Sequence, residues 1–192
     1  MVRVIIGAIP AAIAMFLLGF IFYATPLNRL ATGGVDDARA AAIQQTLNSN
    51  LPSTGTYVVP DPSSAAQSVM YGQGGIATIH FSTGRYATVE TTSLVLGFLL
   101  DLVVALLIGT ALIGIDRRVP DFASRGRVVA IIAVAASAYV NLVSPIFYHH
   151  GWGHFIYRFL ADAVTLSAGG LIIARWFLSS ARAAPKDAPA EV

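Results

Sequence analysis

Four stretches of this chain stay apolar over lengths that few folds other than a membrane bundle can use: Val4 to Ala24, Leu94 to Ile115, Val128 to Tyr148 and Phe155 to Leu178. An α-helix rises 1.5 Å per residue, so about 20 apolar residues cross a hydrocarbon core about 30 Å thick with every backbone N–H and C=O bonded inside the helix. The pattern predicts an all-α transmembrane four-helix bundle, with a small α+β extracytoplasmic cap inserted between helices 1 and 2. Composition points the same way, because 56% of residues are hydrophobic and 11% charged, far below the roughly 25% charged content of soluble domains.

The arrangement divides the chain into a signal-anchor helix over residues 1–24, a cap over 25–93, three further spans over 94–179 and a flexible tail over 180–192. The first run is longer than a usual signal-peptide core, has only Arg3 as its basic region, and meets Pro26 where cleavage would fall. It reads as a retained anchor. The net charge of +2 matters less than where the charges lie. Arg117, Arg118, Arg125 and Arg127 crowd the loop between the second and third runs, and Arg3, Arg175, Arg182 and Lys186 sit at ends facing the same way. Short loops rich in Arg and Lys stay in the cytoplasm. Both termini are therefore expected inside a bacterial inner membrane, with residues 25–93 periplasmic.

Within the cap, Asp36 and Asp37 precede an Ala-rich helix expected to run through Leu47. Thr56 to Val59 and Ile76 to Phe81 are β-branched and aromatic strand candidates, and Ser63 or Ser64 is the expected cap of a short helix between them. His80 in the second strand reads as a half-buried structural residue. Two short strands with two helices make a marginal unit. The chain contains no Cys, so neither disulfide staples nor thiol chemistry is available.

The sequence MFLLGFIFYATPL, the segment TYVVPD followed by a short helix and GGIATIHF, and three further spans resemble a group of small, uncharacterised four-span proteobacterial inner-membrane proteins. The resemblance covers nearly the whole chain and implies topology only. It brings no activity, substrate or cofactor. Four-span quinone-linked thiol oxidoreductases share the helix count, but their chemistry needs cysteines this chain lacks.

Ionisable groups inside the spans are the candidate site. Asp101 interrupts a stripe of small residues, Gly97, Ala105 and Gly109, spaced four apart. Ala133, Ser137, Asn141 and Pro145 repeat that spacing in the third span, and His154, Arg158, Asp162, Thr165 and Gly169 share one face of the fourth. Counted from the outer ends, Asp101, Asn141 and Asp162 fall at similar depth. A carboxylate there is costly unless it meets protein, water or a cation, so Arg158 is expected to neutralise Asp162 or reach Asp101. Two readings remain open: a polar network that only fixes helix register, or an outward-opening site for a proton, ion or ligand built from Asp101, Asn141, Arg158, Asp162 and Thr165.

His149, His150 and His154 in the HHGWGH turn are weak metal candidates, because Gly151 and Gly153 are expected to break the helix that would align them and no Cys or carboxylate completes the set. No metal or other cofactor is favoured. There is no nucleophile motif, phosphate-cradling loop or metalloprotease signature, so an enzyme is not expected. The expected partners are the lipid bilayer and other membrane subunits or further copies of the chain, with no nucleic acid. The leading function is a non-enzymatic accessory or interaction protein, and the alternative is a small transporter or sensor.

Overall fold

The computed structural model describes residues 2–178. The tail predicted over 180–192, with Arg182 and Lys186, lies outside the described residues. Four helices are long and apolar enough to cross a membrane: α1 (Val2–Ala24), α4 (Thr91–Ile115), α5 (Phe122–Phe147) and α6 (Trp152–Trp176). They form one compact unit together with a 3-10 segment, Pro26–Leu30, while Gly33–Glu90 forms a second.

Three long helices begin earlier than hydropathy alone implies. The apolar runs predicted starts at Leu94, Val128 and Phe155; the helices start at Thr91, Phe122 and Trp152. The cause is visible at α5. Asp121 sits at its N-cap in extended conformation and accepts the Ser124 backbone N–H at 2.8 Å. That satisfies one of the donors a helix leaves open at its start, so the polar residues from Ala123 to Arg127 extend the helix instead of lengthening the loop. The same Ser124 bond, joined by the Ser124 hydroxyl, holds the Asp121 carboxyl below the usual carboxylate range. Because the folded value is depressed, this support is present at neutral pH and is lost as pH falls through it.

Helix α1 lies between α4 and α6, and α6 in turn packs along α5. Close approach follows from missing side chains. Ala8, Ala11 and Ala12 of α1 and Ala105 of α4 are completely buried. A Cβ added at Gly109 would stand 2.5 Å from Val4 Cγ1, and one at Gly169 would stand 2.4 Å from Met15 Sδ. Without a hydrophobic force between helices in lipid, such small-residue contacts let dispersion and backbone proximity hold the bundle. The register they impose on the antiparallel pair α1 and α4, with Val4 opposite Gly109 and Phe16 near Gly97, places Asp101 across from Ala12.

Helices α4 and α5 follow one another through a short loop yet make at most marginal contact. Their loop is fixed from within. Arg125, 1% exposed, donates through Nε to the Val119 carbonyl at 2.7 Å and pairs with the Asp116 carboxylate. A guanidinium suits this role because its donors leave in fixed directions.

The second unit contains α2 (Asp37–Asn50), β1 (Gly55–Val59), α3 (Ala65–Tyr71) and β2 (Ala77–Phe81). The strands are antiparallel, with Gly55 opposite Phe81 and Val59 opposite Ala77. Asp36 caps α2 through the Arg39 N–H. Ser64 occupies the cap position of α3 but makes no side-chain cap bond; Asp61 instead accepts from the Ser63 N–H and hydroxyl. His80 is exposed, not half-buried, and sits 3.0 Å from Thr56 Oγ1 on the facing strand. The unit has almost no interior: among its described residues only Pro60 is buried.

Gly170 offers the cleanest test of the packing argument, because a Cβ there would lie 2.5 Å from Val129 Cγ1 and 3.3 Å from Ile108 Cγ2. Gly170→Leu is expected to cost about 1 to 3 kcal/mol, as overpacking generally does. Gly114→Leu, where a Cβ meets nothing within 4 Å, should change stability by less than about 0.5 kcal/mol. Thermal unfolding of both variants in the same detergent checks the contrast.

Candidate functional site

The polar cluster within the four-helix unit assembles around Asp162 of α6. Its Oδ1 accepts the Tyr23 hydroxyl at 2.6 Å, and its Oδ2 accepts Asn141 Nδ2 at 2.9 Å. Asn141, 2% exposed, uses its second amide hydrogen on the Ser137 carbonyl of its own helix at 3.0 Å. One carboxylate thereby ties α1, α5 and α6 together, each oxygen taking a donor from a different helix. Hydrogen bonds to an ionised acceptor are shorter and stronger than neutral ones, which offsets part of the cost of placing the charge there.

Sequence reasoning placed Asn141 and Asp162 at a common depth, and they meet. Tyr23 joins them without having been among the expected site residues. Tyr23, next to last in α1, stands level with Asp162 because the two helices run antiparallel with Met15 against Gly169 and Gly7 against Phe177. A second tyrosine strengthens the same seam. The Tyr157 hydroxyl donates to the Phe22 carbonyl at 2.7 Å, and its ring packs edge-on against Phe22 and Tyr23.

Arg158 and Asp101 behave differently from expectation. Arg158 is exposed and forms no ion pair with Asp162 or Asp101 within 4 Å; its side chain instead lies in electrostatic reach of the Tyr23 hydroxyl. The shared helical face put Arg158 one turn from Asp162, but it could not say that a tyrosine from α1 would bond the carboxylate. Asp101, half-buried on the α1 side of α4, makes no hydrogen bond or ion pair with any described residue. It is not joined to the Asp162 cluster. One turn further along their helices, Ser137 Oγ and Thr165 Oγ1 are buried and likewise lack a hydrogen-bond partner.

The histidine turn serves packing. His149 adopts a left-handed φ of 56°, and His150 stacks between Tyr148 and Phe155, with ring centroids 5.7 and 5.5 Å away. Helix α6 opens at Trp152, so Gly153 lies inside it instead of breaking it, and His154 projects from its first turn. His154 Nδ1 stands 3.1 Å from the Ala31 carbonyl, tying α6 to the chain just after the 3-10 segment. The three histidines thus stand in three separate settings. Among the described residues no group of three His, Asp or Glu side chains could hold a metal ion.

No protein-family model matches the chain, and no curated protein or solved structure is significantly similar to it.

The geometry ranks the cluster members by energetic weight. Asn141→Leu removes two bonds from a buried position and is expected to destabilise the bundle by about 1 to 3 kcal/mol. Tyr23→Phe should cost about 1 kcal/mol, in keeping with single interhelical bonds in membranes. Arg158→Gln should stay within about 0.5 kcal/mol. Unfolding in detergent, with a Tyr23→Phe and Asp162→Asn double-mutant cycle, reads the order; an Arg158 effect as large as that of Asn141 would contradict it.

Proposed function

We propose that this protein is a non-enzymatic accessory or interaction component of a bacterial inner membrane, with both termini cytoplasmic and residues 25–93 periplasmic. The observation that carries this reading is the exposure of the Gly33–Glu90 unit. Its helices α2 and α3 contain no buried residue, and Ile43, Val58, Val59, Val69, Met70, Tyr86 and Val89 are all exposed. A unit that buries so little apolar area gains its missing stability from a surface it covers. Scattered exposed apolar residues are ordinary; an entire unit without an interior is not. The closed Tyr23, Asp162 and Asn141 contact supports a structural role for the polar residues, and the Arg-rich loop between α4 and α5 supports the placement.

The full chain, extracted gently from native membranes, is expected to run as a larger assembly, either with a stoichiometric partner subunit or as a homo-oligomer. Val69→Asp combined with Met70→Asp should weaken that association while leaving the four long helices folded. A monodisperse monomer without partner would overturn the proposal.

A second reading, a small sensor or transporter for a proton, ion or small ligand, draws support from the unpartnered Asp101 carboxylate and from the buried hydroxyls of Ser137 and Thr165. It predicts that Asp101→Asn abolishes a pH- or cation-dependent change in Trp fluorescence of the reconstituted protein without lowering its melting temperature. Identical responses in wild type and variant would remove this reading.

A further inference from the structure

The gap between α4 and α5 is a shaped feature. Val104, Leu107, Ile108, Ala111, Leu112 and Ile115 line one wall, five residues from Val128 to Ala136 line the other, and Leu166 of α6 forms part of the floor. The groove is open along one side, has a volume of about 320 Å³ and is almost wholly apolar. Eleven helical steps separate Val104 from Ile115, a length of about 16 Å. A slender apolar chain can follow an open groove of this length, whereas a helix with its side chains is about 10 Å across.

The loop end of the groove carries uncompensated positive charge. The two acids of the loop are engaged internally, Asp116 by Arg125 and Asp121 by the start of α5. Arg117, Arg118 and Arg127 are exposed and form no ion pair with a described residue. Arg118 follows Ile115 by three residues, one turn beyond the groove wall, with its N–H bonded to the Ile115 carbonyl at 2.9 Å. An exposed arginine there can take a phosphate oxygen through paired donors. Basic sites next to membrane-embedded clefts are where anionic headgroups bind.

We propose that the α4 and α5 groove is a binding site for one anionic phospholipid, with an acyl chain seated between the helices and the headgroup phosphate held by Arg118, aided by Arg117 and Arg127. The proposal rests on the membrane placement of the four helices and is independent of the accessory role. It gives the wide spacing of consecutive helices a use: the lipid adds to the slight contact that α4 and α5 make with each other.

The test uses the full chain reconstituted with defined lipids. Native mass spectrometry should find about one phosphatidylglycerol retained per chain, and phosphatidylglycerol should be retained about tenfold better than phosphatidylcholine of the same acyl length. Arg118→Gln should erase that preference while chain binding persists. Ala111→Phe and Ala136→Phe replace exposed groove residues, so both should fold normally and lose the retained lipid. Equal retention of the two lipids by the wild type, undiminished retention by the folded Phe variants, or a protein partner released by those same variants would each overturn the assignment.

Discussion

The bundle depends on α1 being able to lie flush against two helices at once. Lipid tails are as apolar as leucine, so burial of apolar side chains gives little reason for helices in a bilayer to prefer one another. Contact must come from shape. Here shape comes from absence: Ala8, Ala11 and Ala12 on α1 and Ala105 of α4 are completely buried, Gly109 of α4 receives Val4, and Gly169 of α6 receives Met15. Once those backbones approach, the end of α1 is carried to the level where the Tyr23 hydroxyl finds Asp162. The polar cluster is thus a consequence of the small-residue seams as much as a cause of the fold.

That order of dependence bears on how the ionisable residues are interpreted. Asp162 accepts from two neutral donors on two other helices, with Arg158 near the Tyr23 hydroxyl that supplies one of them. Asp101 has no such arrangement, although it belongs to an otherwise ideal packing stripe. The two acids do not share a level, as counting from the helix ends implied: Asp101 lies across from Ala12 of α1, whereas Asp162 meets Tyr23, about 16 Å further along that helix. One is structural glue and the other a half-buried group facing the seam with α1.

Much of the architecture was legible in the sequence because hydrophobic length is a strong constraint. The four long helices and the antiparallel strand pair stand where the apolar and β-branched runs placed them. Their ends were less legible, since Thr91, Phe122 and Trp152 belong to polar or mixed stretches drawn into helix by local bonds such as that from Ser124 to Asp121. The Asn141 and Asp162 pair followed from counting residues along two spans. The Tyr23 contact and the solvent-facing Arg158 did not, because a helical face is fixed by sequence whereas the neighbour opposite that face is fixed by which helices pack. Nothing in the apolar runs states that α1 sits between α4 and α6, or that α4 and α5 remain apart.

Arg125 gives that separation a mechanical meaning. Its guanidinium binds Asp116 at the end of α4 and the Val119 carbonyl in the loop, while its backbone belongs to the first turn of α5. Two helices with no mutual attraction would ordinarily be free to swing about a six-residue tether, closing or splaying according to whatever lipid or protein lay alongside. Braced by a buried strut, the tether becomes a spacer of fixed width. The chain has in effect built a calliper, with its jaws set by one side chain.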